Sequence, residues 1–209
     1  MRIIHLFADL CNLYGDYGNV CALKRALENK GQNVEIEYHS IDDAIDISGA
    51  DFVFIGSATE RNQKVALDYL QSYKDNIKTA LDNGTVILAT GNSFEIFGQS
   101  VTDCDGTKHE GLSFFSYETV EGKERIVTDS LCDTSLCGGE IIGFVNKASL
   151  TTGATSPLFD VRQGSGNGKD DNKEGVHYGN FYGTHLIGPV LIRNPQLCEY
   201  FADILIKKQ

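Results

Sequence analysis

Strand-like and helix-like segments alternate along the first half of this chain, and this alternation constrains the fold more than any other feature. Short apolar runs predict strands over residues 2–7, 34–38, 51–55 and 85–88, and apolar residues at helical spacing predict helices over residues 18–30 and 60–81. Gly31 and the turn at 82–84 mark the ends of the two helices. A repeated strand–helix–strand order predicts a parallel sheet with helices on both faces, and functional groups at the carboxyl ends of its strands.

The second half of the chain contains shorter strand patterns and more turns. The sequence predicts strands over residues 114–120, 125–128 and 140–145, which suit antiparallel extensions of an α/β fold. Residues 162–175 are glycine-rich and polar, so we expect them to form a mobile loop. At 209 residues, of which 41% are hydrophobic, the chain is long enough to bury one sizeable core. We therefore expect a single domain over residues 1–209.

The composition excludes several classes of partner. The formal net charge is −11 and the sequence pI is about 4.8, so nucleic-acid phosphates and anionic lipids would be repelled. No apolar run is long enough to span a membrane, and the N-terminus lacks a signal-peptide cleavage pattern, so we expect a cytoplasmic protein. The six cysteines lack the spacing of a zinc site, and a chain of this size needs no disulfide framework. We expect free thiols, no metal and no cofactor.

The segment Thr85–Gly98, TVILATGNSFEIFG, places a sharp turn of small residues between a strand and the start of a helix. This is the local context of a nucleophile elbow, in which a strained turn presents Ser or Cys at the N-terminus of a helix. Backbone amides at such a turn activate a thiol and stabilise an oxyanion. Here the turn consists of Gly91, Asn92 and Ser93, and glycine adopts a positive φ without strain but carries no nucleophile.

Four segments resemble class I glutamine amidotransferases of the cobyric acid synthase-like kind. Residues 10–31, LCNLYGDYGNVCALKRALENKG, resemble the family's LNxYGDxGN opening. Residues 55–63, IGSATERNQ, resemble its GGGQDREQ loop, with two of the three glycines lost. Residues 143–147, GFVNK, resemble GFENH, and residues 174–195 are similar to EGVRYGNVIGTYLHGPLLPRNP. The resemblance covers nearly the whole chain and implies a three-layer, flavodoxin-like α/β fold with a mostly parallel sheet.

The resemblance also implies that two catalytic positions have changed. The family elbow reads Cys-Gly-Gly-Tyr-Gln, and its Cys and Gln correspond to Gly91 and Glu95. The family's histidine base, which precedes Gly-Pro, corresponds to Ile187, and His185 stands two residues earlier, where the family has tyrosine. Glycine cannot attack an amide and isoleucine cannot accept a proton, so we expect the usual glutamine hydrolysis to be absent.

Several residues are candidates for substrate binding by the same resemblance. They are Arg125, Arg61, Gln63, Asn92 and Glu95. Arg125 matches a family arginine that contacts substrate, although a lone strand arginine suits the surface equally well. Arg61 and Gln63 equally suit the solvent-exposed first turn of a helix. The Glu95 charge is favoured by the helix dipole and disfavours a thiolate or an oxyanion nearby.

Three residues are candidates for replacing the missing catalytic pair. Ser93 lies two residues beyond the apex of the turn, where serine commonly caps a helix, so its structural role competes with a catalytic one. His185 is expected to point in the same direction as Ile187 if both lie on a regular strand. Cys104 follows the elbow in a polar loop, where two neighbouring aspartates oppose thiolate formation.

The sequence leaves three hypotheses for function. The first is a non-catalytic subunit or binding module that pairs with a Mur ligase-like synthetase, as the family resemblance implies. It would scaffold or regulate that partner, or bind a small amide or amino acid in the vestigial pocket. The second is an active amidotransferase or hydrolase with replacement residues, which supplies ammonia for amidation of a cell-wall precursor or a related acid. The third is a stand-alone, homo-oligomeric ligand-binding protein.

Overall fold

A computed structural model describes residues 1–168 and 171–208, and its centre is a sheet of mostly parallel strands. In chain order the strands are β1 (Arg2–Leu6), β2 (Glu35–His39), β3 (Phe52–Ile55), β4 (Val86–Thr90), β5 (Ser100–Thr102), β6 (Lys108–Glu110), β7 (Glu118–Asp133), β8 (Glu140–Thr152), β9 (Phe159–Gln163), β10 (Lys173–Glu174), β11 (Val176–Tyr178) and β12 (Phe181–Thr184). The central sheet has the order β11–β12–β4–β3–β1–β2, and its neighbouring strands run parallel except for β11 and β12.

Helices cover both faces of this sheet. They are α1 (Tyr17–Asn29), α2 (Glu60–Gln71), α3 (Lys74–Asp82), a 3₁₀ helix (Gly91–Phe97, the elbow helix), α4 (Val190–Arg193) and α5 (Pro195–Lys207). On one face Val53 and Ile87 pack with apolar residues of α2 and α3, and on the other Phe52 and Leu88 pack with those of α1 and α5. Alternate residues of each strand thus enter different cores. This three-layer arrangement confirms the predicted α/β fold class.

The predicted single helix over residues 60–81 is wrong, because the chain forms two helices there. The amides of Ser72 and Tyr73 donate to the carbonyls of Tyr69 and Leu70, three residues earlier, and these tighter turns end α2. A new helix, α3, then begins at Lys74. In the described part of the chain, no helix has the length and apolar character needed to cross a lipid bilayer.

Among residues 1–168 and 171–208, the second sheet has six strands, and its centre is formed by two long strands where shorter ones were predicted. Strand β7 pairs with β8 along most of its length, and its other edge pairs with β5 near one end and with β9 near the other. The predicted break around Gly122 is a shift in register between Glu121 and Ile126, so the strand continues through a bulge. Residues 114–117 precede β7 and do not belong to it.

The glycine-rich segment at 162–175, predicted to be a mobile loop, contains ordered structure at both described ends. It includes the last residues of β9 and the whole of β10. Asn167 is buried, and its side chain donates to the Gly175 carbonyl and accepts from the Gly175 amide, each at 2.8 Å. Residues 169–170 lie outside the described part of the chain. The side chain of Asn167 supplies hydrogen bonds that the glycines cannot provide.

Candidate functional site

The loops before α1 and α2 meet the turn after β4 at the carboxyl edge of the central sheet, as predicted. Ser57 Oγ donates a hydrogen bond to Asp16 Oδ2 at 2.6 Å, which joins the first two loops. The Ala58 amide donates to Asn92 Oδ1 at 3.0 Å, which joins the second loop to the turn. These contacts place three of the segments that were compared with family motifs around one point.

The turn after β4 has the backbone geometry of an elbow although its apex is glycine. Gly91 has φ +63°, in the left-handed backbone region that residues other than glycine rarely adopt. A Cβ built on Gly91 would lie 3.2 Å from Ile187 Cγ2 and still closer to Ser57 Cβ. The structure therefore brings together the two positions that the resemblance assigns to nucleophile and base. The backbone then enters the elbow helix, which is 3₁₀ rather than α.

A pocket of about 270 Å³ opens in front of this turn. Its walls come from the loops before α1 and α2, the turn itself, the middle of β7 and β8, and the segment after β12. Of the residues singled out by sequence, Gly91, Asn92, Glu95, Arg125 and Ile187 line it. All of the lining residues lie in the described part of the chain, and none is a cysteine or a histidine.

A buried carboxylate, Glu95, lines the pocket. Gln63 Nε2 donates to Glu95 Oε2 at 2.8 Å, and the Ser149 hydroxyl donates to Oε1. His185 Nε2 lies 3.3 Å from the same Oε1. Burial raises the pKa of Glu95, and the hydrogen bonds from Ser149 and Gln63 oppose that shift. Gln63 also donates to the Asn92 carbonyl at 2.5 Å, so it supports the pocket wall from behind.

A buried lysine, Lys147, lies on the same face of β8 as Ser149. Its Nζ donates to the carbonyls of Gly166 and Asn167 at 2.6 Å and 3.2 Å. Burial lowers the pKa of Lys147 to about 8, while the charges of Glu174 and Glu95 oppose this shift. Lys147 therefore connects the pocket to the glycine-rich segment.

Asp16 anchors the loop that carries Ser57. Its side chain is fully buried and accepts from the Ser57 amide at 3.2 Å and the Thr90 hydroxyl at 3.3 Å, in addition to the Ser57 hydroxyl. Burial raises the pKa of Asp16, and the bond from the Ser57 hydroxyl is the first of several that oppose the shift. The loop before α2 is thus fixed to the loop before α1 by one carboxylate.

Arg125 lies at the mouth of the pocket, on the bulged part of β7. It forms an exposed ion pair with Glu60 and donates to Asn146 Oδ1 at 3.1 Å. Asn146 Nδ2 in turn donates to Tyr14 Oη at 2.9 Å. Arg61, the other candidate arginine, is exposed and does not line the pocket, because it lies on the outer side of α2.

The three candidate replacement residues are not assembled in the pocket. Ser93 is buried and donates to the Gly56 carbonyl at 2.5 Å. His185 is buried behind Glu95 and contacts the Phe94 ring, with ring centroids 4.6 Å apart. Because β12 ends at Thr184, the regular-strand geometry assumed for His185 does not apply. Cys104 is an exposed free thiol in the connection between β5 and β6.

Several polar residues that line the pocket were not candidates from the sequence, among them Ser57, Glu121, Asn146, Lys147 and Ser149. Ser57 and Lys147 occupy positions at which this chain departs from the quoted family patterns, so these departures were the signal available. Ser149 carried no signal, because its place opposite Glu95 depends on how the two sheets pack. Within the described residues, no group of three or more His, Cys, Asp or Glu side chains is arranged to hold a metal ion.

Comparison with known proteins defines the class that this fold and pocket represent. The CobB/CobQ-like glutamine amidotransferase domain matches residues 2–195, and the chain belongs to this family. Two similar proteins are both named lipid II isoglutaminyl synthase (glutamine-hydrolyzing) subunit GatD. The Staphylococcus aureus protein is 30% identical over 203 residues, which cover 97% of this chain and 83% of the relative. The Streptococcus pneumoniae protein is 31% identical over 212 residues, covering 100% of this chain and 82% of the relative.

Solved structures agree with this assignment at the level of the fold. A crystal structure of a glutamine amidotransferase aligns with a TM-score of 0.63 at 12% identity, covering 97% of this chain and 98% of the other. A second glutamine amidotransferase, from Thermotoga maritima, gives a TM-score of 0.54 at 10% identity, and the alignment covers 100% of this chain and 85% of the other. The glutaminase domain of Trypanosoma brucei CTPS with bound acivicin gives 0.56 at 8% identity, covering 100% and 95%.

Proposed function

We propose that this chain is a non-catalytic subunit of the glutamine amidotransferase family, which binds a small amide or amino acid and pairs with a Mur ligase-like synthetase. One observation carries the proposal: Gly91 faces Ile187 across the point where the family resemblance places nucleophile and base. Amide hydrolysis by the usual route needs a nucleophile there and a base beside it. Neither glycine nor isoleucine supplies those groups.

The remaining pocket still offers groups that suit a small polar ligand. Arg125 is placed to bind a carboxylate, since its guanidinium meets the pocket mouth beside Glu60. Asn92 and Asn146 offer amide groups, and Glu121 offers a carboxylate for an ammonium group. A free amino acid or its amide carries this combination of charges. The pocket volume of about 270 Å³ is of the size that such a ligand requires.

The proposal of a synthetase partner rests on the relatives. Both GatD proteins are named as subunits of a lipid II isoglutaminyl synthase, and the match extends over at least 97% of this chain. A chain that keeps the fold of such a subunit but lacks its chemistry would keep the docking and ligand-binding functions. The partner we propose is therefore a Mur ligase-like synthetase.

Glutamine hydrolysis is the direct test of lost catalysis. We expect no ammonia release above background from L-glutamine, either with the purified protein alone or with a ligase-like partner encoded beside it. Thermal unfolding of the same sample must show that the protein is folded. Ammonia release at a rate typical of enzymes, about 1 s⁻¹ or faster, would contradict the proposal and favour the hypothesis of replacement residues. Ser93→Ala, His185→Gln and Cys104→Ser would then locate the activity.

A ligand-binding measurement distinguishes the role of Arg125 from that of Arg61. We expect L-glutamine binding, measured by calorimetry, to be weakened about tenfold or more by Arg125→Ala, because a charge-assisted hydrogen bond is lost. Arg61→Ala is the matched control, since this arginine is exposed and does not line the pocket. Equal effects of the two substitutions would show that Arg125 acts only through the surface charge.

A further inference from the structure

We propose that Ser57 keeps the elbow closed to any side chain at position 91, so that the lost nucleophile cannot be restored by changing the catalytic positions alone. Ser57 is then the residue that decides whether this pocket can hold a nucleophile. This role goes beyond the loss of the nucleophile itself. It rests on the proposed function only in treating the site as non-catalytic.

The geometry at Gly91 supports this directly. A Cβ on Gly91 would lie 3.1 Å from Ser57 Cα, nearer still to Ser57 Cβ, and 3.2 Å from Ile187 Cγ2. Carbon atoms in protein interiors pack at about 3.5–4.0 Å, so a side chain at position 91 must displace Ser57. Ile187 closes the opposite side, although its contact is less severe.

Packing and hydrogen bonds hold Ser57 in place, so it cannot shift easily to make space for a side chain at position 91. Only 2% of its surface is exposed, and its amide and hydroxyl both donate to the buried carboxylate of Asp16. The residue before it, Gly56, packs so closely on Cys11 and Asp16 that a Cβ there would overlap the Cys11 carbonyl. The loop is therefore held against the elbow by its own hydrogen bonds and by the close approach of two backbones.

Comparison with the family pattern shows that side-chain size has changed in opposite directions at positions 57 and 91. In the resemblance described above, the GGGQDREQ loop has glycine where this chain has Ser57, and the family elbow has cysteine where this chain has Gly91. Glycine is therefore at position 57 in the family pattern and at position 91 in this chain. With glycine at one of the two positions, a single side chain occupies the space between them. A serine at 57 and a cysteine at 91 would require two side chains in the same space.

A double-mutant cycle in thermal stability tests the contact without any assay of function. We expect Gly91→Ala to lower Tm by roughly 6–10 °C, from backbone strain plus the clash with Ser57. When Ser57→Gly is already present, adding Gly91→Ala should cost less than half of that. Gly31→Ala is the matched control, because Gly31 also has a positive φ (83°) but open space where its Cβ would lie. The decrease in Tm caused by Gly31→Ala should be smaller, and it should be the same with and without Ser57→Gly.

Additivity of Gly91→Ala and Ser57→Gly within about 1 °C would overturn the proposal, since residues that do not contact each other give additive effects. This outcome is independent of the proposed function. Ammonia release by the unaltered protein would contradict the loss of catalysis and leave the cycle unaffected.

A restored nucleophile provides the second test. We would compare Gly91→Cys/Ile187→His with the same pair combined with Ser57→Gly, and treat both with acivicin, which is bound in the glutaminase domain of Trypanosoma brucei CTPS. Peptide mapping by mass spectrometry should find at least tenfold more modification of the introduced cysteine in the triple variant. Equal modification of the two folded variants, or none in either, would overturn the proposal.

Discussion

Replacing Asp16 with alanine is expected to lower the free energy of unfolding by about 3–5 kcal/mol. The carboxylate is fully buried and accepts hydrogen bonds from the Ser57 amide, the Ser57 hydroxyl and the Thr90 hydroxyl. Its removal leaves these donors in a space that water does not reach, and each unpaired buried donor costs about 1–3 kcal/mol. Urea unfolding followed by circular dichroism measures the loss.

The matched control for this prediction is Asp9→Ala. Asp9 is exposed and accepts a single side-chain hydrogen bond from Ser40, so its replacement should cost less than about 0.5 kcal/mol. If Asp16→Ala proved as mild as Asp9→Ala, the proposed anchoring of the Ser57 loop by Asp16 would be wrong.

Acid should destabilise the protein through a second buried group, His5. The ring is fully buried between Phe54 and Tyr38, with centroids 5.0 Å and 5.7 Å away, and burial lowers the pKa of His5 to about 4. The unfolded chain takes up this proton near pH 6.5. Between these two pKa values the unfolded state binds more protons, so stability falls as pH falls from about 6.5 to 4. The gap corresponds to about 3 kcal/mol.

The effect is isolated by comparing variants rather than by the wild-type curve alone. Burial also lowers the pKa of His185 to about 4, so His185 contributes a loss of the same sign. We expect His5→Leu to retain about 2 kcal/mol of the stability that the wild type loses between pH 7 and pH 4.5, because the full gap is reached only below pH 4. Ile3→Val, on the same face of β1, changes packing without removing a titrating group and should keep the wild-type slope. Parallel curves for His5→Leu and the wild type would refute the assignment.

The sequence predicts the central sheet well because its signals are local. The run Val86–Thr90 is apolar and the small residues after it end the strand, so β4 and the elbow follow from propensity and turn chemistry. The break between α2 and α3 was not predictable in this way, since apolar residues continue at helical spacing through Tyr73 and Ile77. The length of β7 was hidden by Gly122, which marks a bulge rather than a turn.

The site was predictable only where the family resemblance supplied positions. It assigned Gly91 and Ile187 to the nucleophile and base positions, and a Cβ built on Gly91 lies 3.2 Å from Ile187 Cγ2. It did not predict Ser57 against Gly91, because that contact joins residues far apart in sequence and depends on the buried carboxylate of Asp16. Ser93 and His185 were proposed as partners from sequence proximity to the lost positions. Their hydrogen bonds to other groups could be found only from the packing.

Two contacts cross the mouth of the pocket: an exposed ion pair and a partly buried hydrogen bond. Tyr14, from the loop before α1, contacts Asn146 of the second sheet, and Glu60, the first residue of α2, contacts Arg125 of the same sheet. The Arg125–Glu60 ion pair is exposed and contributes only about 0.2–1 kcal/mol, so it holds the two sides of the mouth together weakly. A ligand would therefore enter and leave quickly. Added salt, which screens the ion pair, should shorten its residence time further.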